Sequence, residues 1–463
     1  MVSEFIKKGL FIFILVFLAY SLAFASEAKE DEKSVTEKIL NILIEKKIIN
    51  EAQYQELMAQ LKEEAKKKEK EVRCGFKKGF YIETQDKSNK IKLAGRLHTD
   101  FKSYLGDHPG NSSFFIRRAR LTLKGTLYKY YDFKVQSDFA KGNSQLKDGF
   151  LNINYIKKFQ IKIGQFKTPF SMEELVSGNS LDFMERSLAN RLVPSRDIGV
   201  MFHGSLFDDA IYYQAGIFNG YRTNESSDKD DGKDGALRLV VAPFKFSNIN
   251  LLKELRIGGA ITYGNEELQA EDWWNKGDFK TAAGTKYLEI NDSALQDGER
   301  FRKGSELYWS YGPVNFKGEY IHVSLDNLKL NGYNKDVYLH GGYLSLCYNI
   351  TGEKFIYKNG SPRGIIPKNN FKPDFSSIGA IQIGIRYEFV KADKDLFKYG
   401  YVDSSRYTDK IQAITFGINW YLNDMVRFMF NYYHAKFDDD IVVDDQKIND
   451  EDVLMSRFQI YFN

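Results

Sequence analysis

Residues 412–422 read QAITFGINWYL, and their side chains alternate between two kinds. One set comprises Gln412, Ile414, Phe416, Ile418, Trp420 and Leu422, and the other comprises Ala413, Thr415, Gly417, Asn419 and Tyr421. A period of two residues is typical of a β-strand, because successive side chains point to opposite faces. The large apolar side chains of the first set suit contact with lipid, and the second set suits a polar interior.

The same alternation recurs in sixteen segments of the chain. The predicted strands lie near residues 90–105, 114–129, 131–141, 146–157, 159–171, 196–207, 210–220, 234–244, 252–267, 298–311, 313–325, 335–349, 376–392, 408–423, 425–438 and 450–463. Single strands of a soluble β-sandwich would alternate as well. The number of strands and the size of their apolar side chains favour an all-β membrane protein instead. We predict a 16-stranded antiparallel transmembrane β-barrel over residues 76–463.

The composition supports this prediction and excludes other classes of protein. Aromatic residues make up 15% of the 463 residues, and the mean hydropathy of −0.43 is too low for a bundle of membrane helices. Lysine and arginine total 66 against 62 aspartate and glutamate, a balance too even for a dedicated nucleic-acid binder. No spacing of histidine, cysteine or acidic residues predicts a metal site, and no catalytic dyad is evident, so neither a cofactor nor an enzyme is expected.

The N-terminal segment predicts secretion. Lys7 and Lys8 precede an apolar run that ends near Ala19, and Ala23-Phe24-Ala25 fits a signal-peptidase site. The run is too short to cross a bilayer as a helix. We therefore interpret residues 1–25 as a signal peptide, which agrees with a destination in the outer membrane of a Gram-negative bacterium.

Residues 26–75 are predicted to form a helical hairpin or a short coiled coil. Ile39, Leu40 and Leu43 recur at helical spacing, and Asn50 with Gln53 resembles the cap of a second helix. An even number of barrel strands places both barrel ends on the periplasmic side, so this segment would lie in the periplasm. Contact with the cell wall, oligomerisation and a mere spacer remain open as its role.

The connections between the predicted strands alternate between short turns and long loops. Short turns occur at 157–158, 208–209 and 423–424, and polar loops at 221–233, 268–297 and 439–449. Residues 172–195 form a long third loop, and residues 350–375 an unusually long connection on the short-turn side. The alternation also sets the register: Leu121 and Leu123 must face lipid, because charged side chains there would cost about 2–4 kcal/mol each.

This register directs many basic side chains into the lumen. They are Lys92, Arg96, Arg118, Arg120, Lys124, Lys134 and Lys162, together with His98. Arg117 is the exception, since strict alternation would point it outward, and it requires an inward bend of the strand or a position above the hydrocarbon. On these grounds alone, lumen cations that simply balance lumen carboxylates are the favoured interpretation over an anion pathway, because barrel lumens are ordinarily polar and charged.

Several short motifs that follow one another along the chain resemble those of the phosphate-selective porins O and P. They are Gly95-Arg96-Leu97-His98, Phe115-Ile116-Arg117-Arg118-Ala119-Arg120, Gly164-Gln165-Phe166, Glu185-Arg186-Ser187, Arg196-Asp197-Ile198-Gly199, Phe218-Asn219-Gly220, Thr351-Gly352-Glu353 and Asn419-Trp420-Tyr421. The resemblance covers roughly residues 75–462. It implies a homotrimer whose third loop folds into each pore, and a ladder of arginine and lysine that leads anions to a central phosphate site.

The resemblance also assigns roles to residues. The central anion site would comprise Arg96, Arg117, Arg118, Asp148, Ser177 and Arg186, with Asp148 able to accept a proton from phosphate. Lys87, Lys92, Lys134 and Lys162 correspond to the periplasmic lysines of the ladder, which Arg120 and Lys124 extend. Glu174 stands where the family has a lysine, and it is expected to oppose Arg117, Arg118 and Arg186 at the constriction.

The prediction from the sequence is therefore an outer-membrane porin for small anions, with phosphate or polyphosphate as the expected substrates. The expected partners are outer-membrane lipid and lipopolysaccharide, the permeating anion, two further copies of the chain and, through residues 26–75, the cell wall. Two alternatives remain: a general diffusion porin without a binding site, and a barrel that anchors envelope layers.

Overall fold

The computed structural model describes residues 35–70, 72–142, 144–221, 230–273 and 275–463. The predicted signal peptide, residues 1–25, and residues 26–34 lie outside this part. The chain divides into two compact units after residue 71, and each is treated by itself below. Among the described residues, no helix combines the length and the hydropathy needed to cross a membrane.

The first unit contains two helices, α1 (Val35–Glu45) and α2 (Glu51–Lys70). The predicted cap of the second helix is present: Gln53 N donates to Asn50 Oδ1 (2.9 Å) and Asn50 N donates to Gln53 Oε1 (3.0 Å). This reciprocal pair satisfies two backbone donors at the helix start. Tyr54 Oη donates to Asn41 Oδ1 over 2.7 Å and ties the two helices together. The helical segment ends at Lys70, so residues 72–75 are not part of it.

The second unit is a closed antiparallel β-barrel of sixteen strands, preceded by the hairpin β1 (Val72–Phe76) and β2 (Phe80–Thr84). The barrel strands are β3 (Lys90–Tyr104), β4 (Ser113–Leu127), β5 (Tyr131–Asp138), β6 (Gln145–Ile156), β7 (Phe159–Lys167), β8 (Arg196–Leu206), β9 (Ile211–Phe218), β10 (Asp234–Val241), β11 (Arg256–Gln269), β14 (Leu295–Tyr311), β15 (Val314–Leu330), β16 (Tyr333–Asn349), β19 (Ala380–Ala392), β20 (Lys410–Tyr421), β21 (Val426–Val443) and β22 (Gln446–Phe462). Each predicted strand has its counterpart among them.

The barrel closes between its last and first strands. β22 pairs with β3 from Val453↔Tyr104 to Phe462↔Gly95. Where β22 ends, β2 continues the pairing along β3, from Phe80↔Leu93 to Glu83↔Lys90. The backbone groups at the start of β3 are thereby satisfied, as a strand at a membrane boundary requires.

The connections contain four short strands in the part of the chain that the structure describes. β12 (Asp278–Lys280) and β13 (Lys286–Glu289) form a hairpin between β11 and β14. β17 (Tyr357–Lys358) and β18 (Ser361–Pro362) lie in the long connection between β16 and β19. We call the barrel end with the turns at 128–130, 157–158 and 422–425 the turn end, and the opposite end the loop end.

The predicted polar loop at 439–449 is wrong, because the strands continue through it. β21 and β22 are joined by Asp444 and Asp445 alone, whose φ angles are 45° and 63°. Positive φ at both central residues defines the hairpin turn whose twist matches the flanking strands. Residues 441–443 pair with 446–448, so the ladder reaches the tip of the hairpin.

The side chains follow the predicted register. Leu121 and Leu123 are 52% and 43% exposed on the outer surface, whereas Arg118 and Thr122 are each 4% exposed inside. A bulge produces the inward bend that Arg117 required: His98 pairs with Arg118 and Thr99 with Ile116, so Arg117 is an extra residue in β4.

A large apolar cluster fills the loop end on one side of the barrel. Its members come from the loop between β7 and β8, from the β11–β14 connection and from the inner faces of β15 to β22. They include Leu192, Trp273, Leu288, Val323, Leu339, Ile411, Tyr433 and Val453. At the other end, the long connection between β16 and β19 turns into the barrel, where Arg238 Nη2 donates to the carbonyl of Gly360 over 2.8 Å.

Candidate functional site

Loop three, which we define as residues 168–195 between β7 and β8, is packed inside the barrel. It contains a short helix, Met172–Leu175, whose N-cap Ser171 Oγ accepts from Glu174 N over 3.1 Å, and a 3₁₀ turn, Leu188–Leu192. Met172 and Leu192 are 1% and 0% exposed. A cavity of about 20 Å³ remains between the loop and the wall, space for about one water molecule.

Glu319 on β15 holds the start of loop three. Its carboxyl oxygens accept from Met172 N (2.7 Å), Glu173 N (2.9 Å) and Ser171 Oγ (3.2 Å). Tyr343 Oη on β16 donates to the same group over 3.0 Å. The first N–H groups of a helix have no partner within the helix, and an acidic side chain placed there satisfies them.

Cations of the later strands hold the rest of loop three. Arg457 on β22 makes two 2.7 Å bonds to Asp100 and also donates to Glu185 (2.8 Å) and to the carbonyl of Met184 (2.6 Å). Further contacts join Arg386 to Glu173 and the carbonyl of Glu185, Arg427 to the carbonyl of Leu181, and Lys317 to Asp182. Loop three is therefore fastened to the wall formed by β15 to β22.

Arg96 and Arg118 meet the tip of loop three from the opposite wall. A Cβ placed on Gly178 would lie 3.4 Å from Arg96 Nη1 and 3.5 Å from Arg118 Nε, so both guanidinium groups lie against this glycine. Arg118 Nη1 donates to His98 Nδ1 over 3.3 Å, and His98 Nε2 lies 3.1 Å from Asn179 Oδ1. These partners imply a neutral imidazole with its hydrogen on Nε2. Among the described residues, neither arginine has a carboxylate within 4.0 Å.

Arg117 and Asp148, two other predicted site residues, are engaged in ion pairs. Arg117 makes a bidentate pair with Glu185 of loop three, with both distances 2.7 Å. Asp148 accepts from Arg196 Nε over 2.7 Å and from Lys134 on the neighbouring strand. A bidentate guanidinium–carboxylate pair is geometrically specific. Arg117 therefore joins the wall to loop three, whereas Asp148 joins β5, β6 and β8 within the wall.

Ser177 and Arg186, the predicted site residues of loop three, make contacts within the loop. The Ser177 carbonyl accepts from Ser180 N over 2.8 Å. Arg186 donates to the carbonyls of Glu173, Glu174 and Val176 over 3.0–3.1 Å, and its Nε lies 3.1 Å from Glu174 Oε2. These contacts turn Arg186 towards the body of loop three.

Glu174 is paired with cations of its own surroundings, which differs from the expectation that it opposes Arg117 and Arg118. It contacts Arg186 and, over 3.6 Å, Lys167 Nζ. Burial alone would raise the pKa of Glu174, but the attraction of Arg186 and Lys167 outweighs it and lowers the pKa to about 2. Its negative charge is therefore offset locally.

The predicted ladder forms a row on three adjacent strands. Lys92 on β3 is directly opposite Lys124 on β4, which is opposite Lys134 on β5. Lys92 donates to the carbonyl of Lys77 (2.9 Å) and Lys124 to Asn463 Oδ1 (2.6 Å). Lys162 on β7 lies over the rings of Phe150 and Phe166, at 4.8 and 5.4 Å.

The other two predicted ladder residues, Arg120 and Lys87, do not add an unpaired charge to this row. Arg120 donates to Asp138 over 2.7 Å and is thus neutralised, and Lys87 is exposed in the turn before β3. In the part of the chain that the structure describes, Lys92, Lys124 and Lys162 have no carboxylate within 4.0 Å. Like charges directly opposite one another destabilise a sheet, so Lys92 and Lys124 repel one another unless an anion lies between them.

The sequence did not predict which residues anchor loop three to the wall, among them Glu319 and Glu185. Glu319 occupies an inward position of β15, but alternation alone cannot say which inward residue meets a distant loop. Glu185 lies in one of the motifs that resemble the family, but only its neighbour Arg186 was predicted to bind an anion. No group of three or more histidine, cysteine, aspartate or glutamate residues in the described ranges could hold a metal ion.

Comparison with known proteins identifies the family. Residues 91–462 match the family described as phosphate-selective porin O and P. Porin O of Pseudomonas aeruginosa is 25% identical over 420 residues, which cover 83% of this chain and 91% of that protein. An uncharacterized protein of Aquifex aeolicus is 23% identical over 316 residues, or 60% of this chain and 72% of that protein.

Solved structures agree on the fold. The anion-selective porin from Comamonas acidovorans superimposes with a TM-score of 0.50 at 10% identity, over 81% of this chain and 100% of that one. The trimer form of the outer membrane protein OmpT of Vibrio cholerae gives a TM-score of 0.50 at 11% identity, over 81% and 99% of the two chains. The barrel is thus an outer-membrane porin, and the chain belongs to the phosphate-selective porin O and P family.

Proposed function

We propose that this porin conducts small anions, phosphate or polyphosphate among them, along the wall formed by β3 to β8. The observation that carries the proposal is the pair Lys92 and Lys124 in direct register on β3 and β4, neither of which has a carboxylate within 4.0 Å in the described ranges. Cations that lack a carboxylate partner raise the local concentration of anions in a narrow, low-dielectric passage. The names of Porin O's family and of the anion-selective porin from Comamonas acidovorans agree with this assignment.

The distribution of paired and unpaired charge supports the same wall as the pathway. Of the cations of β15 to β22 that face loop three, Lys317, Arg386 and Arg457 pair with Asp182, Glu173, Asp100 and Glu185, and Arg427 donates to the carbonyl of Leu181. The apolar cluster fills the loop end on that side. The basic groups available to a passing anion are therefore those of β3 to β7, led by Lys92, Lys124 and Lys162.

We assign the central anion site to Arg96 and Arg118 at Gly178. Guanidinium forks suit tetrahedral oxyanions, because two N–H donors can bind two oxygens at once. Because Gly178 has no side chain, loop three approaches both guanidinium groups to van der Waals distance. The other predicted site residues do not contact the anion in this proposal. Their ion pairs and loop contacts hold the surroundings of the site in place; they are Arg117, Asp148, Ser177 and Arg186.

Phosphate block of the chloride current in planar bilayers tests the central site. Arg96→Gln should raise the phosphate concentration for half block about tenfold, equivalent to about 1.4 kcal/mol. Arg118→Gln should act in the same direction. Arg73→Gln is the matched control, since Arg73 is exposed on β1 and should leave the block unchanged.

The general diffusion porin is the competing function, and the same recordings decide between the two. A wild-type channel whose chloride current is insensitive to phosphate would favour it. An Arg96→Gln channel that blocks like the wild type would remove Arg96 from the site.

We further propose a homotrimer in the outer membrane, with the turn end and the helices α1 and α2 in the periplasm and residues 1–25 removed as a signal peptide. The trimer form of OmpT, which shares the barrel fold, supports the assembly. Native mass spectrometry should give three chains per particle, and a stable monomer would contradict it.

Protease added to intact cells should spare residues 34–72, and cleavage there would reverse the orientation.

The segment 26–75 is then placed to contact the cell wall, and the barrel surface to contact lipid and lipopolysaccharide. The highly charged α2 helix (Glu51–Lys70) supports an aqueous periplasmic location for this segment. Sedimentation with purified peptidoglycan, compared between the full chain and a chain lacking residues 34–70, tests the cell-wall contact. Equal sedimentation of both would exclude it.

A further inference from the structure

A second row of basic residues crosses the barrel, on its outer surface. Lys303 on β14 is directly opposite His322 on β15, His322 opposite His340 on β16, His340 opposite Lys391 on β19, and Lys391 opposite Lys410 on β20. We call these five residues the outer basic row. Adjacent strands are about 4.8 Å apart, so the row extends over about 20 Å.

The alternation of each strand shows that the row faces outward. The inward neighbours Arg302, Val323 and Leu339 are 1%, 0% and 1% exposed. Tyr320 and Tyr338, which share the outer face with His322 and His340, are 46% and 47% exposed. The five basic side chains therefore contact whatever surrounds the barrel, and they are not part of the lumen.

The row lies at the loop end of the lipid-facing surface. Along β16 the outward residues Tyr348, Leu346 and Leu344 are 45%, 47% and 54% exposed, and His340 follows after Gly342. Along β19, Ile383, Ile385 and Tyr387 precede Lys391 in the same way. Basic residues near the barrel midplane would be costly, but the cost falls to about 0–1 kcal/mol at the interface.

Aromatic rings flank the row, as is typical of a membrane interface. His322 and Tyr338 have ring centroids 6.0 Å apart, and His340 lies 6.1 Å from Tyr320 and 6.2 Å from Phe389. Aromatic girdles of transmembrane barrels mark the level of the lipid headgroups. The outer basic row is therefore at headgroup level on the loop end.

The row carries positive charge that the protein does not neutralise. Of its three lysines only Lys410 has a carboxylate partner within the described ranges, Asp438 at 3.2 Å. The outward positions of β8 and β10 provide a contrast, because Ile198, Val200, Leu237 and Leu239 are apolar there. Basic residues in register repel one another unless an anion lies between them.

We propose that the outer basic row binds the phosphate groups of lipid in the outer leaflet, that is, of a phosphorylated glycolipid whose acyl chains cover the apolar surface below the row. Lysine ammonium groups pair with phosphate, and imidazole donates one N–H when neutral and two when protonated. Continuity with the lipid-facing surface favours a lipid over a soluble anion as the occupant. This inference rests on the proposed orientation and lipopolysaccharide contact of the barrel, but not on the anion pathway.

Native mass spectrometry of the detergent-solubilised porin with added lipid A tests this inference. The probes are lipid A with both phosphates, dephosphorylated lipid A, and inorganic phosphate. The test variant is Lys303→Gln/Lys391→Gln/Lys410→Gln, and the matched control is Lys92→Gln/Lys124→Gln/Lys162→Gln, which removes three charges from the lumen instead. Heat-modifiable migration on gels verifies that each variant is folded, and Lys391→Gln/Lys410→Gln serves if the triple variant does not fold.

The expected result is a loss of affinity for bisphosphorylated lipid A of about tenfold or more in the outer-row variant, with the lumen variant binding like the wild type. Dephosphorylated lipid A should bind weakly and equally to all three proteins. Equal binding of the two lipid A forms by the wild type would overturn the inference, as would unchanged binding by the outer-row variant. Conductance of the lumen variant tests the anion pathway separately, so the two proposals can fail independently.

Discussion

Arg117 and Arg118 are consecutive in the chain, and both side chains contact groups inside the barrel. The bulge in β4 makes this possible, because it inserts Arg117 between Ile116, which faces lipid, and Arg118, which faces the lumen. Alternation predicted a conflict at Arg117 but could not say how it is resolved. The resolution depends on Glu185, a loop residue 68 positions away along the chain.

Deleting Arg117 tests the bulge. Because Arg117 is the extra residue, its removal should restore regular pairing of β3 with β4 and leave every other side chain on its own face. The variant should therefore migrate as a folded, heat-modifiable barrel. Deleting Thr122 is the control: it lies in a regular part of β4, so its removal reverses inside and outside for one arm of the strand and should abolish folding. If both deletions fold equally well, the bulge does not set the register.

Glu174 provides a pH-dependent prediction. Its pKa in the folded protein is about 2, below the ordinary value of 4.5, so its ion pair contributes stability that is present above pH 4.5 and lost as the pH falls towards 2. Wild type should unfold at a higher temperature than Glu174→Gln from pH 8 to about pH 5. The gap should narrow between pH 4.5 and 2. A gap that is constant down to pH 2, measured by heat modifiability, would contradict the ion pair.

Loop three is the element whose placement decides the shape of the lumen. Its start is held by Glu319, and its remainder by arginines of β19 to β22. The gap between the predicted strands at 159–171 and 196–207 predicted a long loop, and the family resemblance implied that it folds inward. Which wall it rests on depends on contacts between residues 147 to 273 positions apart, and periodicity carries no information about them.

Glu319→Ala should loosen this element. The substitution removes the acceptor of Met172 N and Glu173 N, and a buried N–H without a partner costs about 1–3 kcal/mol. We expect a larger single-channel chloride conductance and more current noise than in the wild type. Glu319→Gln retains one acceptor oxygen and should give a smaller change. A Glu319→Ala channel with wild-type conductance would show that Glu319 does not hold the loop.

Strands could be predicted from the sequence more fully than any other element, because the lipid and the lumen impose opposite requirements on alternate residues. The hairpin formed by β21 and β22 shows the limit of this reasoning. Most side chains of residues 439–449 are exposed on either face, although Ile441 is buried. The alternation of hydrophobicity therefore fades, and these residues look like a loop although the ladder continues. The turn residues Asp444 and Asp445, which tolerate positive φ, were the available signal.

In the whole barrel, the pairing of basic side chains with carboxylates differs between the wall of the early strands and the wall of the later strands. On the later strands, Lys317, Arg386 and Arg457 pair with carboxylates of loop three. On the early strands Arg117 pairs with Glu185, but Lys92, Lys124, Lys162, Arg96 and Arg118 have no carboxylate within 4.0 Å in the described ranges. The composition, with 66 basic and 62 acidic residues, does not show which basic residues are paired. The candidate residues could be predicted from register and resemblance, but their state of pairing required the structure.

The reversal potential of the open channel under a KCl gradient tests the central claim, which is that unpaired cations of the early strands make the pore anion-selective. The wild-type channel should have the sign of an anion-selective pore. Lys92→Gln/Lys124→Gln/Lys162→Gln should move the potential towards that of a non-selective pore, whereas Lys134→Gln, which leaves Asp148 with Arg196, should move it less. A wild-type channel that prefers cations, or a triple variant with an unchanged potential, would contradict the account.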